Sequence, residues 1–306
     1  MIRKLFDYWI HRLVHKGELR LGMSILAKNE ADIIEDNIRY HSSVGVDCFV
    51  VMDNGSTDGT RDILQKLSHE LDLHIIDQPD TRFQQSQWVT EMAIYCKRKL
   101  KADLVINNDA DEFWEPDNGM SLKSYLSAKD SVVTVRRYNT LLPKEAKHEN
   151  FDYRNSNIII CNGINSEPKS KKTIESMLLN SPSPKTIINP YGLKKVKTGN
   201  HRASHVCRIF NGRTEDKIKI VHLPIRSYKQ FKKRFENRSH ISQLNFYGLS
   251  DETNYLNKEI TEEHIKKIYE RFILSDNIME FLNKAEIITI HKNNINKKIS
   301  VYKNKK

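Results

Sequence analysis

Two carboxylates separated by one residue, Asp109 and Asp111, follow directly after the apolar run 104–106. A short apolar run bounded by polar residues predicts a buried strand, so both carboxylates are expected at its carboxyl end. Oxygen ligands at this spacing suit a hard divalent cation such as Mg²⁺ or Mn²⁺, which also binds phosphate oxygens. An acidic loop that only caps the next segment would have the same short pattern, so the function of the motif has to be judged from the residues around it.

The elements around this motif alternate between strands and helices. Apolar runs predict strands at 21–26, 46–52, 73–76 and 104–106, and helical periodicity predicts helices near 33–41, 63–67 and 87–100. The alternation predicts a mostly parallel sheet covered by helices, and ligands bind beyond the carboxyl ends of such strands. Two further polar clusters, Asn29-Glu30 and Asp53-Asn54, also follow predicted strands. We therefore expect one ligand site at this edge of the sheet.

The charge of the chain is unevenly distributed. The 306 residues carry a formal net charge of +11, but residues 21–130 have 11 basic and 20 acidic side chains, and residues 131–306 have 34 and 17. A nucleic-acid-binding protein is expected to present basic residues around its binding face. Here the acidic motif lies in the acidic part, so the charge pattern favours a metal-bound nucleotide there and an anionic acceptor or surface elsewhere.

Composition also indicates the compartment. The four cysteines are widely spaced without a C-x-x-C pair, which favours free thiols in a reducing environment over disulfides. No apolar run reaches the length of a membrane span, and the first residues lack the apolar core and small-residue cleavage site of a secretory signal. The sequence therefore predicts a cytoplasmic protein.

Three motifs together resemble a known enzyme family. The segments Ala27-Lys28-Asn29-Glu30, 53–60 (DNGSTDGT) and 109–113 (DADEF) are similar to the nucleotide-sugar half of glycosyltransferase family 2, in a bacterial subgroup with KNE, DNxSxD and DxDEF motifs. The resemblance covers about residues 20–118 and weakens towards 238. It implies a GT-A fold and an inverting, metal-dependent glycosyltransferase, with a UDP-sugar as the expected donor and Mn²⁺ or Mg²⁺ as the cation.

The resemblance also implies roles for individual residues on the donor side. Asp53 is expected to contact the nucleotide base, and the ribose is expected near Ala27 and Glu30. Asp111 would bind the metal directly, whereas Asp109 would contact it through water or contact the ribose. The complete set expected at the nucleotide sugar is Ala27, Asn29, Glu30, Asp53, Asn54, Asp58 and Asp109. For Asp58, holding the turn or capping the next helix is the alternative.

Residues of the later part of the chain are candidates for the metal and the acceptor. His222 ends an apolar run and is a candidate third metal ligand, since enzymes of this fold often place a late histidine near the metal; a structural histidine is the alternative. Candidates for the acceptor or the phosphates are Gln87, Trp88, Lys185, His201 and Arg226, although Trp88 also fits a core position. The catalytic base would come from Glu175 or Glu167, near a helix predicted from about 171 to 179.

The two ends of the chain complete the predicted organisation. Apolar residues recur at helical spacing from Ile2 to Val14 opposite Arg3, Lys4 and Arg12, which predicts an amphipathic helix. Such a helix could lie on a membrane surface, or pack on its own domain or on a partner. The predicted organisation is therefore a basic helix at 1–19, a GT-A domain at 20–240 divided at 118/119 into donor and acceptor halves, and a helical extension with a basic tail at 241–306.

Three functions are compatible with these features. The first is a glycosyltransferase that builds bacterial surface polysaccharide or lipopolysaccharide on a glycan or lipid-linked acceptor, peripherally at the membrane. The second is a nucleotidyltransferase, but Ala27-Lys28-Asn29-Glu30 lacks the glycine-rich phosphate loop that such an enzyme needs. The third is a non-catalytic protein that binds an anionic polymer, for which the chain has no recognisable motif; no nucleic acid is expected as a partner.

Overall fold

The computed structural model describes residues 2–15, 17–79, 84–163, 179–207, 212–236 and 261–291. These residues form two compact units. Unit 1 contains the described residues within 2–137 and 183–220, and unit 2 contains those within 138–182 and 221–291.

The regular elements, numbered along the chain, are as follows. The helices are α1 (Ile2–Val14), α2 (Ile34–Ser43), α3 (Thr60–Ser68), α4 (Gln85–Leu100), α5 (Tyr228–Glu236), α6 (Glu262–Glu270) and α7 (Asp276–Lys284). The strands are β1 (Leu21–Ala27), β2 (Cys48–Asp53), β3 (Leu73–Asp77), β4 (Leu104–Asn108), β5 (Glu112–Pro116), β6 (Val132–Leu141), β7 (Ile158–Ile160), β8 (Lys185–Ile188), β9 (Leu193–Val196), β10 (Ala203–His205), β11 (Gly212–His222) and β12 (Ile288–Ile290). Short 3-10 turns occur at Asp117–Gly119, Leu122–Tyr125, Lys144–Lys147, Tyr153–Asn155 and Thr198–Asn200.

The sheet of unit 1 brings the strand ends together. Its strands lie in the order β8-β4-β1-β2-β3, with β4, β1, β2 and β3 parallel and β8 antiparallel to β4. In the register of the central strands, Ala27 lies opposite Asp53, and Asp53 lies opposite Asp77. The carboxyl ends of β1, β2 and β3 are therefore level, and β4 ends beside β1 at the same edge.

The predicted α/β architecture is confirmed. Every strand predicted in the first hundred or so residues is present. In β1, β2 and β4, β-branched and other large apolar side chains fill both buried faces of a parallel sheet, whereas β3 is only partly buried. Helix α4 packs on one face, where Trp88, Met92 and Cys96 join Val50 and Val105 in one buried cluster. A mostly parallel sheet flanked by helices, with an N-terminal helix, is the architecture that the GT-A resemblance implies.

Unit 2 has its own core. Strand β7 pairs antiparallel with β12 and with the last residues of β6. Apolar side chains of α5 and α6, including Phe231, Ile268 and Phe272, form a buried cluster with Leu141 and Ile158. No helix among the described residues combines the length and apolar character needed to cross a bilayer.

Helix α1 packs on unit 1 through its polar side and exposes its apolar side. Lys4 Nζ donates to the Leu193 carbonyl (2.8 Å), the buried Tyr8 hydroxyl donates to the Lys129 carbonyl (2.7 Å), and His11 bonds to Asp103 (2.7 Å). On the opposite side, the exposed fractions are 83% for Ile2, 64% for Phe6, 43% for Ile10, 74% for Leu13 and 68% for Val14. This orientation is the reverse of the usual one, in which an amphipathic helix buries its apolar stripe.

Candidate active site

The loops after β1 and β2 are held together by hydrogen bonds. Asn29 adopts a left-handed conformation (φ 58°), which asparagine tolerates better than most residues. Its backbone N–H donates to Ser56 Oγ (2.9 Å), and its Oδ1 accepts from the Thr57 N–H (2.8 Å). The Glu30 N–H donates to Thr60 Oγ1 (2.9 Å). These bonds fix the two predicted polar clusters side by side at the edge of the sheet.

Asp53 and Asp58 have different roles in the second loop. Asp53 is buried; its Oδ1 accepts from the Ser56 N–H (3.0 Å), and its Oδ2 receives no hydrogen bond from the described residues. Asp58 accepts from the Thr60 N–H (3.1 Å) at the start of α3 and from the Ala31 N–H (3.3 Å). Asp58 therefore holds the turn, as one of the two interpretations of the sequence proposed, whereas Asp53 keeps an acceptor for a ligand.

A buried asparagine of α2 fixes the acidic turn, residues 109–112. Asn37 Nδ2 donates to the carbonyls of Ala110 and Glu112, at 2.8 Å in both cases. The two bonds hold the backbone on either side of Asp111, whose side chain is half-buried. Asn37 Oδ1 in turn accepts from Asn108 Nδ2 (3.1 Å), the last residue of β4. The backbone of the turn is therefore set by α2 as well as by the strand that precedes it.

His41 and Trp114 extend this buried network. The Trp114 N–H donates to His41 Nε2 (3.0 Å), and its indole Nε1 donates to Asn108 Oδ1 (2.9 Å). His41 Nδ1 lies 2.8 Å from the Asn37 carbonyl, which can only accept, so the proton is on Nδ1. Burial lowers the pKa of His41 to about 3. The imidazole is therefore neutral at physiological pH, and the network has no charge of its own.

Asp109 is bound by a buried cation. Lys185 of β8, whose side chain is 1% exposed, forms ion pairs with Asp109 Oδ2 and with Glu112 Oε1 (3.2 Å). Arg137 forms a second ion pair with Glu112 (2.7 Å). Although burial opposes the charge on Lys185, the carboxylates of Glu112 and Asp109 raise its pKa. Asn200 Nδ2 donates to Asp109 Oδ1 (3.2 Å), so both oxygens of Asp109 have protein partners.

His201 lies in the same electrostatic environment. Its Nδ1 bonds to the Pro184 carbonyl (3.0 Å), which places the proton on Nδ1 and leaves a lone pair on Nε2. Burial lowers the pKa of His201, and the nearby Lys185 and Arg137 cations lower it further. A Cβ on Gly199 would lie 2.7 Å from His201 Nε2, and Gly199 has φ 75°, so only glycine fits there. A neutral imidazole with an available nitrogen suits either an acceptor hydroxyl or a metal.

Several predicted site residues lie in other settings. Trp88 is buried in the core cluster under α4, so it fits the core interpretation and not contact with an acceptor. Gln87 is exposed and bonds to Glu91. His222 and Arg226 belong to unit 2, where His222 Nδ1 lies 2.7 Å from Asn139 Oδ1 and Arg226 is buried. The candidate bases Glu167 and Glu175, and the helix predicted around them, lie outside the described residues.

Sequence reasoning missed the residues that position the acidic turn. Asn37, Asn108, Trp114 and Arg137 have no local motif, and their importance follows from contacts between distant parts of the chain. One signal was available: a polar Asn37 on the otherwise apolar side of α2, between Ile34 and Ile38, predicts a buried amide that needs partners.

A family comparison identifies the class of enzyme. The model of glycosyltransferase family 92 matches residues 21–274, which include the paired loops, the acidic turn, Lys185 and His222. The chain belongs to glycosyltransferase family 92. The predicted enzyme class, a glycosyltransferase that uses a nucleotide sugar, is therefore confirmed, and the nucleotidyltransferase and polymer-binding alternatives are not supported. The resemblance to family 2 in particular is not confirmed.

Solved structures show a more distant similarity to this family 92 enzyme. One is S. aureus TarS 1-349 in complex with UDP-GlcNAc, with 11% identity, a TM-score of 0.40, and coverage of 83% of this chain and 71% of that chain. Another is glucosyl-3-phosphoglycerate synthase from Mycobacterium tuberculosis in complex with Mn²⁺, UDP and glucosyl-3-phosphoglycerate, with 14% identity, a TM-score of 0.35, and coverage of 79% and 83%. None of the curated proteins matches the chain.

Proposed function

We propose that this family 92 enzyme transfers a sugar from a uridine diphosphate sugar to a hydroxyl of a glycan or lipid-linked acceptor, with inversion at the anomeric carbon and with Mn²⁺ or Mg²⁺ bound at Asp111. The observation that carries the proposal is the common edge at which β1, β2 and β4 end. The hydrogen-bonded loops of Asn29 and Ser56 and the acidic turn all follow strands that end there.

Asp53 favours a donor with uracil or guanine as its base, and of these two the uridine donor is the one that the sequence resemblance implies. A buried carboxylate oxygen can only accept a hydrogen bond, so it favours a base that presents an N–H at the matching ring position. Uracil and guanine have such an N–H, whereas cytosine and adenine have a lone pair there. Asp53 Oδ2 has no partner among the described residues and is our candidate for this contact. The loop of Ala27, Asn29, Glu30 and Asn54 is proposed to contact the ribose.

The residues of the acidic turn fit a cation that has few protein ligands. Asp109 is bound to Lys185 and Asn200, so it would reach a metal only through water or by exchanging a partner, whereas Asp111 is half-buried and is proposed as the direct ligand. Among the described residues, neither of these two carboxylates belongs to a group of three His, Cys, Asp or Glu ligand atoms that all lie within 4.8 Å of one another. Mg²⁺ in nucleotide sites commonly binds through one or two carboxylates plus phosphates. The cation would neutralise charge on the departing diphosphate.

Fewer residues support the acceptor side of the proposal. Inversion by direct displacement needs a base for the acceptor hydroxyl, and Glu175 and Glu167 remain the candidates for this role. In unit 1, His201 with its available Nε2 and the exposed Gln87 are proposed to contact the acceptor or the diphosphate. The pathway that we propose is the synthesis of bacterial surface polysaccharide or lipopolysaccharide.

The proposed function is tested by release of nucleoside diphosphate from a panel of sugars. We expect turnover with UDP-sugars, and weaker turnover or none with CDP- and ADP-sugars, because Asp53 excludes a base that presents a lone pair. Replacing Asp53 by Asn should reduce this discrimination, since an amide can donate or accept. Turnover should require added Mn²⁺ or Mg²⁺. Equal rates with all four bases, or full turnover in excess EDTA, would contradict the proposal.

We also propose that the exposed side of α1 binds an anionic membrane surface. Ile2, Phe6, Ile10 and Leu13 share one exposed face, and the polar contacts of Lys4, Tyr8 and His11 keep this face turned away from unit 1. Residues 1–20 carry five basic and two acidic side chains, so the segment is cationic. Apolar side chains next to cations are the pattern of an interfacial helix, and anionic lipid complements that charge.

Sedimentation with vesicles tests this membrane proposal. The wild-type chain should sediment with vesicles that contain phosphatidylglycerol more than with phosphatidylcholine vesicles, and 0.5–1 M salt (about 3–4 Å Debye length) should weaken the binding. The double variant Phe6→Glu/Ile10→Glu should lose it. Ile278→Glu/Phe281→Glu, which alters two exposed apolar side chains of α7, is the matched control and should bind normally. A wild-type dimer that the α1 variant abolishes, without vesicle binding, would identify a second copy as the occupant instead.

A further inference from the structure

Two histidines of α1 and one carboxylate of the sheet converge at a place that is separate from the acidic turn. His11 and His15 are one helical turn apart, and the His15 N–H donates to the His11 carbonyl (2.9 Å). His11 Nε2 lies 2.7 Å and His15 Nδ1 lies 3.2 Å from the same oxygen of Asp103, which directly precedes β4. The three ligand atoms all lie within 4.8 Å of one another.

The surroundings hold these groups in place. The side chains of His11 and Asp103 are only 9% and 7% exposed, and that of His15 is 20% exposed. The second oxygen of Asp103 accepts from the Arg20 N–H (2.7 Å), which fixes the plane of the carboxylate. The His11 ring stacks on Tyr191 with 3.7 Å between ring centroids and 15° between planes. The site is therefore built from three separate segments of unit 1 and not from a flexible surface.

We propose that His11 Nε2, His15 Nδ1 and Asp103 Oδ1 bind one zinc ion, with water as the fourth ligand. Two imidazoles at i, i+4 and one carboxylate are a common ligand set for Zn²⁺, and Zn–N and Zn–O distances of about 2.0–2.2 Å put tetrahedral ligands about 3.3–3.5 Å apart. The present spacings of 2.7 and 3.2 Å need only a small opening to admit the ion. Imidazole ligands favour Zn²⁺ over Mg²⁺, so the ion differs from the one proposed at Asp111.

A hydrogen-bonded cluster without metal is the alternative to a bound ion. In that case one oxygen of Asp103 accepts a hydrogen bond from each of the two imidazoles. A divalent cation instead takes a lone pair from each of the three groups. Because two ligands come from α1 and one from the residue before β4, the ion attaches the helix to the sheet of unit 1. It thereby fixes the direction of the exposed apolar face.

Zinc binding by the untagged full-length chain tests the inference. After treatment with a chelator, the protein is titrated with Zn²⁺ against a colorimetric competitor, with excess Mg²⁺ present to saturate the carboxylates of the acidic turn. We expect one equivalent in the wild type. His15→Ala should lower the affinity at least about 100-fold, because loss of a direct ligand exceeds the 10- to 100-fold effect typical of an outer-shell partner. Asp103→Asn should also weaken binding.

A matched histidine serves as the control. His74 lies 3.4 Å from Asp72 and bonds to the Tyr95 hydroxyl, but in the described residues no second imidazole accompanies it. His74→Ala should therefore keep wild-type affinity for Zn²⁺. Co²⁺ provides a readout on the wild type alone, since tetrahedral coordination with imidazole gives strong visible bands and octahedral oxygen coordination gives weak ones. Weak bands in the wild type, or equal zinc affinity in the wild type and His15→Ala, would overturn the inference.

Discussion

Replacing Asp111 by Asn is expected to lower kcat for sugar transfer by about 100- to 1,000-fold, the loss typical of removing one electrostatic group that stabilises a charged transition state. The substitution keeps the size of the side chain and removes its charge. The bonds from Asn37 to the carbonyls of Ala110 and Glu112 hold the turn through its backbone, and they do not involve the replaced carboxylate. The thermal midpoint should therefore stay close to that of the wild type while turnover falls.

The metal dependence of turnover separates loss of a ligand from a general defect. Initial rates measured against Mn²⁺ concentration should show that Asp111→Asn needs more metal for half-maximal activity. Asp117→Asn is the matched control, because Asp117 lies in the turn after β5, is exposed, and pairs with the exposed Lys217 (3.4 Å). It should keep wild-type turnover. An Asp111→Asn enzyme within twofold of the wild type would remove this residue from the reaction.

The loops after β1 and β2 were predictable from sequence because they depend on local patterns. Buried strands such as β1 and β2 are continuous apolar runs, and their ends are marked by Asn29 and by the Asp53 turn. The neighbouring positions of these ends follow from the parallel order of the sheet. Asp58, by contrast, required the structure, since a carboxylate five residues after the end of β2 can cap a helix or contact a ligand.

The later part of the chain was less predictable for physical reasons. Strands β7, β8, β9 and β10 have only three or four residues each, too few for a clear periodicity. Lys185 lies at the start of such a strand, and a lysine is normally exposed, so the sequence alone favoured contact with a phosphate. Its burial between Asp109 and Glu112 comes from the antiparallel pairing of β8 with β4.

The orientation of α1 shows a related limit. The sequence predicted its amphipathic character, but the hydrophobic pattern alone favours burial of the apolar stripe. The structure instead packs Tyr8 and His11 on unit 1, because the carbonyl of Lys129 and the carboxylate of Asp103 supply matching polar partners. Such partners come from distant parts of the chain and are not visible in the periodicity of the helix.

The second large expected effect is on stability: Lys185→Met should lower the free energy of unfolding by about 3 kcal/mol, the lower end of the range for breaking a buried ion pair. Methionine fills a similar volume but leaves Asp109 and Glu112 without their shared cation. Arg137 still pairs with Glu112 (2.7 Å), which is why the effect should not reach the upper end of the range. Urea unfolding at neutral pH measures the change.

Two further variants show whether charge causes this effect. Lys217→Met removes an exposed lysine, 62% exposed and paired with Asp117, and should change stability by less than about 1 kcal/mol. The double variant Lys185→Met/Glu112→Gln has a neutral amide at position 112 in place of a carboxylate without its cation. It should therefore be more stable than the sum of the two single effects predicts. Strict additivity would mean that packing, and not the ion pair, explains the loss.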